Sequence, residues 1–188
     1  LGLGHLLQEL YRRSPVEFPV EEALFGMVLN RVLAPDSKLG AYEWLEKEVY
    51  RPEFEGLELH HLYRALDFLD EHKRAVEEAL FLKDRELFGL DVDLVFFDTT
   101  STYFEGRGPQ GLAELGYSRD KRSDRVQVVI GLVMTRDGIP VAHHVFPGNT
   151  ADINAFRYAV ADLRGRFAVR RVIAVSYTHL TLPTNREV

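Results

Sequence analysis

The sequence lacks cysteine, and this absence is the firmest chemical constraint that its composition gives. Without thiols there are no disulfides, thiolate metal sites or cysteine nucleophiles, so any bound metal must use oxygen or imidazole ligands. Long apolar runs are also missing, since segments such as 94–97 and 126–134 are far shorter than the roughly 20 residues of a spanning helix. The start does not resemble a signal peptide. We therefore expect a cytoplasmic protein without a membrane partner.

The overall composition is ordinary for a globular protein. The 188 residues are 46% hydrophobic and 28% charged, which is enough for a real core and for one domain or slightly more. The net charge of -6 argues weakly against wholesale binding to nucleic acid, because DNA-binding surfaces gain affinity by releasing counterions from phosphates. The segment 157–171 is locally basic, because its only acidic residue is Asp162. It indicates either a phosphate-facing patch or a solvated helix face. Its basic residues are Arg157, Arg164, Arg166, Arg170 and Arg171.

Residues 1–89 predict a helical region. Apolar residues recur at helical spacing over 20–33, 59–70 and 75–88, and Pro35 ends the first of these segments. Asp36 or Ser37 can cap a further helix that runs to about Val49. The pattern therefore predicts a small helical bundle.

Strands replace helices after Gly89. Residues 93–98 form a nearly continuous apolar run that ends in Asp98, which is typical of a buried strand. Polar residues 105–125 predict a loop, and 126–135 and 139–146 predict a hairpin that turns at Gly138, since glycine supplies the positive φ of tight turns. Asn149 or Thr150 can cap a helix over 152–166, and a last strand follows over 169–175.

This order predicts an α+β or α/β fold with a mixed sheet and a crossover helix. Residues 90–175 would form the first part of a ribonuclease-H-like domain, in which the fourth strand lies beside the first. Such folds carry one acidic residue on the first strand and another just after the fourth. Carboxylates from distant parts of the sequence can then meet at one point.

Asp98 is the main candidate for chemistry. A carboxylate at the end of a buried strand needs a hydrogen bond, a cation or a metal, because leaving it bare in an apolar setting is costly. The alternative is a structural Asp whose side chain caps Thr100 or Ser101. His143 and His144 are adjacent in a predicted strand and would point to opposite faces, which argues against a joint metal site.

Three segments resemble, in order and spacing, motifs of the DDE transposases of one group of bacterial insertion sequences. Motif 1 is residues 97–106 (FDTTSTYFEG), motif 2 is residues 116–122 (GYSRDKR) and motif 3 is residues 145–152 (VFPGNTAD). Upstream, residues 30–31, 35–39 and 63–66 are similar to the helical region that precedes the catalytic domain in that group. The resemblance extends over residues 21–175.

The resemblance implies a role for Asp98 as the first member of a metal-binding carboxylate triad. In such enzymes two Mg²⁺ (or Mn²⁺) ions roughly 4 Å apart activate a water or a DNA 3′-hydroxyl and stabilise the leaving oxygen of the phosphodiester. Magnesium prefers hard oxygen ligands, which is why the triad is acidic. The implied partners are transposon-end and target DNA, and a second copy of the chain in a homo-oligomer.

The resemblance also suggests that four basic residues between the motifs approach DNA phosphate: Arg119, Lys121, Arg122 and Arg125. The alternative is a charged mobile loop, because Asp120 and Asp124 offset part of the charge.

The sequence departs from the family pattern after Val175. Family members are expected to continue with a segment that carries the second catalytic Asp, whereas residues 176–188 (SYTHLTLPTNREV) contain none. This segment resembles the translation of an adapter used in sequencing libraries, so we expect an artefactual tail. The first residue, Leu1, likewise indicates an incomplete start. The expectation is a transposase fragment that is inactive as it stands, because the second Asp and the distant Glu are absent.

Two other functions stay open. One is a catalytically dead module that uses its helical region to hold DNA or a partner chain. The other is a metal-dependent nuclease or phosphatase of the same fold, since a fold alone does not fix a function.

Overall fold

The computed structural model describes residues 2–88, 94–117, 122–167 and 171–174. The chain divides into two compact units, Leu1–Lys83 and Asp84–Val188. Each unit is described by itself.

The first unit is helical. Its elements are α1 (Leu3–Tyr11), α2 (Val20–Leu33), α3 (Lys38–Glu48), a short 3₁₀ turn (Pro52–Phe54), α4 (Leu59–Glu71) and α5 (Lys73–Phe88), whose last residues belong to the second unit. The predicted helices are confirmed, and α1 is an addition to them. The predicted cap of α3 is also confirmed, because the Ser37 hydroxyl accepts a hydrogen bond from the Gly40 N–H at 3.0 Å.

The core of this unit lies where α2 packs against α3 and α4. Ala23 of α2, Ala41 of α3 and Leu62 and Ala65 of α4 are almost completely buried. Gly26 lets α2 approach α3 closely, because a Cβ at this position would lie 2.8 Å from a methyl carbon of Leu45. The apolar faces that the sequence predicts for these helices thus form a packed core.

The second unit is a four-stranded mixed sheet with one crossover helix. Its elements are β1 (Leu94–Tyr103), β2 (Gln127–Thr135), β3 (Pro140–Pro147), α6 (Asp152–Arg166) and β4 (Arg171–Ala174). The strand order is β3-β2-β1-β4, with antiparallel pairs except for the parallel pair of β1 and β4. The predicted mixed sheet is confirmed, including a fourth strand beside the first.

The hairpin between β2 and β3 turns where the sequence predicts it. Gly138 has φ 80°, and its N–H donates to the carbonyl oxygen of Thr135 at 3.1 Å. The Thr135 N–H donates in turn to the carbonyl oxygen of Ile139 at 2.8 Å. A residue with a Cβ would adopt the conformation of Gly138 only with strain.

The prediction that the first strand ends at Asp98 is wrong. Strand β1 continues for five more residues to Tyr103, which pairs with Gln127 at the start of β2. The extension is rich in threonine, and β-branched and aromatic residues fit a pleated strand well even when they are polar. The apolar run covers only the first part of β1, and Thr99 beyond it is also buried.

The predicted cap of α6 is also wrong, although the bounds of the helix agree. Ala151 occupies the N-cap position and no side chain caps the helix. Thr150 instead closes the preceding turn, because its N–H donates to the carbonyl oxygen of Pro147 at 2.9 Å. The residues from Pro147 to Thr150 therefore form a turn, but they do not supply the cap.

Helix α6 packs on one face of the sheet. Val95 and Phe97 of β1 and Val133 of β2 are buried, and the rings of Phe97 and Phe156 lie 6.0 Å apart. Because side chains alternate along a strand, Asp98 projects from the opposite face.

Candidate functional site

Asp98 lies beside the point where the described pairing of β1 with β4 stops. The last described pair is Phe97 with Ala174, and Asp98 is the next residue along β1. Its side chain is half-buried and lines an open depression of about 280 Å³ together with Phe96, Met134 and Arg136. Asp98 therefore lies within a strand, next to the end of the parallel pair.

The Asp98 carboxylate is held by its neighbour in the chain. Its Oδ1 accepts a hydrogen bond from the Thr99 N–H at 2.8 Å. The structural alternative from the sequence placed this contact at Thr100 or Ser101, and that prediction is wrong. The contact is local and satisfies one oxygen of the carboxylate.

Thr99 also connects motif 1 with motif 3. Its side chain is 5% exposed, and its hydroxyl donates to Asp152 Oδ1 at 3.0 Å. Asp152 is the first residue of α6, where a negative charge interacts favourably with the helix dipole. The start of α6 is thus tied to β1 at the residue that follows Asp98.

Gln127 joins motif 2 to motif 3. The side chain is 1% exposed, and its amide nitrogen donates to the carbonyl oxygens of Tyr117 and Gly148, both at 3.0 Å. The backbone of Gln127 also pairs with Glu114 in an isolated antiparallel bridge. A buried amide with satisfied donors fixes the loop that carries motif 2 against the turn that carries motif 3.

Two glycines make this junction possible. A Cβ on Gly116 would overlap the carbonyl oxygen of Gly148, and a Cβ on Gly148 would overlap the carbonyl oxygens of Gln127 and Glu114. Backbone atoms have little freedom to move aside, so both positions require glycine because of close approach. This gives a physical reason for one glycine in motif 2 and one in motif 3.

The three motifs converge on a cleft of about 480 Å³. Motif 1 contributes Thr100 and Ser101, motif 2 contributes Tyr117, and motif 3 contributes residues 148–152. Among the described residues, the polar groups of the lining are hydroxyl, amide and carboxylate groups with no Lys or Arg, and Val129 and Ala151 add apolar surface. Segments that are far apart in the sequence therefore lie together at one end of the sheet.

Two of the four basic residues predicted to approach phosphate lie in described segments, and both have carboxylate partners. Arg122 donates to both carboxylate oxygens of Asp124, at 2.9 and 3.1 Å. This contact raises the pKa of Arg122 and lowers the pKa of Asp124. Arg125 lies 3.2 Å from a carboxylate oxygen of Glu105. Arg119 and Lys121 lie outside the described residues.

Within the described part of the basic segment 157–171, Arg166 does not belong to an exposed patch. The side chain of Arg166 is only 4% exposed and its Nη1 lies 2.9 Å from Asp162 Oδ2. Arg157 and Arg164 are exposed, whereas Arg170 and the side chain of Arg171 lie outside the described residues. Arg166 is therefore unavailable to phosphate, because it is buried against a carboxylate.

The two adjacent histidines of β3 point to opposite faces, as predicted. His143 is exposed, whereas His144 is 7% exposed, and its Nε2 lies 3.6 Å from Asp162 Oδ2. They cannot share one metal ion. Within the described residues, no group of three or more His, Asp or Glu side chains lies close enough together to hold a metal.

Charge is distributed unevenly between the two units. Residues 1–83 contain ten Lys and Arg against sixteen Asp and Glu, a net charge of -6, whereas residues 84–188 contain thirteen of each sign. The whole excess of negative charge thus lies in the helical unit. Such a unit gains little from counterion release at DNA.

Comparisons with known proteins assign no family to this chain. No family model and no curated protein matches the sequence. Two solved structures overlap loosely: a pre-cleavage Mos1 transpososome (TM-score 0.31, 11% identity, 90% of this chain and 56% of that chain) and a Mos1 transposase paired-end complex with the left transposon end (TM-score 0.28, 12% identity, 87% and 53%). The chain spans about half the length of these solved chains. TM-scores near 0.3 do not establish a common fold.

The described part of the chain has no helix that is long and apolar enough to cross a lipid bilayer.

The sequence analysis did not single out Thr99, Gln127 or Asp152, although Thr99 and Asp152 stand inside motifs 1 and 3. Gln127 lies outside the three motifs, and its role depends on contacts that only the structure shows.

Proposed function

We propose that this chain belongs to a DNA transposase of the DDE type with a ribonuclease-H-like catalytic domain. Three motifs that resemble that family come together in space, and Asp98 of motif 1 stands beside the end of the β1–β4 pair. The strand order β3-β2-β1-β4 with a parallel β1–β4 pair supports the same proposal, since this is how a ribonuclease-H-like sheet begins. The convergence of the motifs is the observation on which the proposal depends.

Asp98 is the residue that would contact the metal. Its carboxylate supplies hard, anionic oxygen, which suits Mg²⁺ or Mn²⁺, but the described residues supply only this one ligand of a complete site. When bound, the metal would polarise the phosphodiester and lower the pKa of an attacking water or hydroxyl. The chain's own contribution is to hold Asp98 half-buried at a fixed position in β1, where the Thr99 N–H occupies one carboxylate oxygen.

The proposed DNA contacts require a change of ion-pair partners. Arg122 and Arg125 would have to exchange their carboxylate partners for phosphate, because both are already in ion pairs. Such exposed pairs contribute little free energy, so DNA could displace them at modest cost. The negative charge of residues 1–83 disfavours the alternative in which the helical unit alone holds DNA.

The first test is to read the source DNA across codons 170–190 and on to the end of its reading frame. We expect an Asp codon within a few residues of Val175 and a Glu codon roughly a hundred or more residues later, as the family resemblance implies. If neither is found, the catalytic proposal fails and a binding module becomes the better explanation.

The biochemical test uses the protein encoded by that DNA, with Mg²⁺ or Mn²⁺ and labelled transposon-end DNA. We expect strand cleavage and strand transfer, and we expect Asp98→Asn to abolish both while DNA binding is largely retained. Cleavage by the Asp98→Asn variant would remove Asp98 from the proposed triad. Cleavage without strand transfer would favour a metal-dependent nuclease.

A further inference from the structure

We propose that Asp152 is a positioning residue that sets the orientation of the Asp98 carboxylate through Thr99. This inference deepens the proposed function, because it concerns the same candidate metal ligand. It assigns a physical role to the last residue of motif 3.

The link consists of two hydrogen bonds that share one residue. Thr99 donates its backbone N–H to Asp98 Oδ1 at 2.8 Å and its hydroxyl to Asp152 Oδ1 at 3.0 Å. The two acceptors lie on opposite faces of the sheet, since neighbouring side chains of a strand alternate. Thr99 therefore connects the face that carries Asp98 with the face that carries α6.

Several features make this link stiff. Thr99 is 5% exposed, so water competes poorly for its hydroxyl. Asp152 begins a helix of 15 residues whose residues Ala155, Ala159 and Leu163 are completely buried. A shift of Asp152 would require α6 to move on the sheet. The backbone that places the Thr99 N–H is thereby held in one position.

A metal ligand benefits from such support. Carboxylates that bind metals are usually hydrogen-bonded in turn, and loss of an outer partner typically lowers metal affinity or activity 10–100-fold. Asp98 has this kind of partner in Thr99, and Thr99 has its own in Asp152. The sequence separation of 53 residues between Thr99 and Asp152 makes the contact a product of the fold and not of local geometry.

The test measures the side-chain rotamer of Asp98 directly, in the full chain and without metal. Three-bond couplings from the Asp98 carboxyl carbon to the backbone nitrogen and carbonyl carbon report its χ1 angle by NMR. We expect a single rotamer in the wild type and in Thr99→Ser and Asp152→Asn, which keep the hydroxyl donor and an acceptor oxygen respectively. In Thr99→Val and Asp152→Ala we expect averaged couplings.

A matched control distinguishes positioning from general stability. Thr135→Val makes the same substitution at another buried threonine of the sheet, whose hydroxyl oxygen accepts from the Ile139 N–H at 3.2 Å. Thr135 lines the same depression as Asp98, but its contact lies within the hairpin. We expect this variant to lower the melting temperature while the Asp98 couplings stay as in the wild type.

The outcomes separate this inference from the proposed function. If Thr99→Val and Asp152→Ala melt earlier but keep the wild-type Asp98 couplings, the contact is only structural and the inference is overturned. Line broadening by Mn²⁺ near residues 96–100 gives a second readout, and we expect about tenfold weaker Mn²⁺ affinity in Thr99→Val. If Asp98→Asn leaves that broadening unchanged, the metal role of Asp98 fails, whereas the couplings still decide the positioning role.

Discussion

A single methyl group at Gly148 tests whether the junction of motifs 2 and 3 is as tight as the structure indicates. In Gly148→Ala the new Cβ would overlap the carbonyl oxygens of Gln127 and Glu114. Those residues are bound to each other through two backbone hydrogen bonds, of 2.9 and 3.1 Å. The oxygens cannot move aside without weakening these hydrogen bonds, so the overlap must lower the free energy of unfolding.

The expected loss follows from these contacts. Overpacking a well-packed site costs about 1–3 kcal/mol, and two weakened hydrogen bonds add about 1 kcal/mol each. The smaller conformational entropy of an unfolded chain with alanine returns up to about 1 kcal/mol. We therefore expect a net loss of about 3 kcal/mol in the free energy of unfolding, a large part of the total for a domain of this size.

The measurement is urea unfolding followed by circular dichroism, with hydrogen exchange at the Glu114 and Gln127 amides as a local probe. Gly165→Ala is the control, because it lies in α6 and its Cβ would meet open space. Alanine in a helix is favoured over glycine by about 1 kcal/mol, so this variant should be slightly more stable. A Gly148→Ala variant within about 0.5 kcal/mol of the wild type, with unchanged exchange at both amides, would refute the close approach.

Two further predictions concern buried side chains, and a third concerns the partly buried His61. Leu62→Ala should destabilise the helical unit by about 2–5 kcal/mol, because Leu62 is completely buried and a cavity would remain; a loss under 1 kcal/mol in thermal or urea unfolding would contradict the packed core. Gln127→Leu should cost about 2–4 kcal/mol, since the buried carbonyl oxygen of Gly148 and the partly buried one of Tyr117 lose their donor; unfolding as in the wild type would mean that water or another donor replaces the amide. Burial lowers the pKa of His61 from its ordinary 6.5, and its Nδ1 accepts from the Glu58 N–H at 3.0 Å in the neutral form. Between pH 6.5 and the lower pKa of the folded state, His61 therefore binds a proton in the unfolded chain but not in the folded protein. The free energy of unfolding should fall as the pH drops from 6.5 towards the folded pKa and change no further below it. His61→Gln should show a weaker pH dependence than the wild type in urea unfolding at a series of pH values, and an equal dependence would exclude His61 as its source.

Much of the secondary structure could be predicted because it depends on neighbours in the sequence. Helix α6 has the predicted bounds, Asp152–Arg166, and Gly138 turns the hairpin as expected. The error in the bounds of β1 occurred because its last residues are polar, whereas the strand was recognised by its apolar run. The predicted strand ended at Asp98 and left out the threonine-rich end of β1, although pairing with β2 makes it part of the strand.

The candidate site was only partly predictable. Asp98 could be selected from motif 1, but the sequence offered Thr100 and Ser101 as its hydrogen-bond partners, whereas Thr99 takes that place. Arg166 counted as a possible phosphate contact, whereas it is buried against Asp162. A charge in a sequence does not reveal its partner, because ion pairs depend on which faces the fold brings together.

By itself, the sequence determined the order of helices and strands and the turn at Gly138, because periodicity and turn chemistry act over a few residues; the three motifs came from a family resemblance. Only the tertiary structure decided that Thr99 reaches Asp152, 53 residues away, and that Gln127 bridges Tyr117 and Gly148. Such contacts require the register of the sheet and the docking of α6 to be fixed first. These two properties are set by the packing of the whole unit, which no local stretch of sequence encodes.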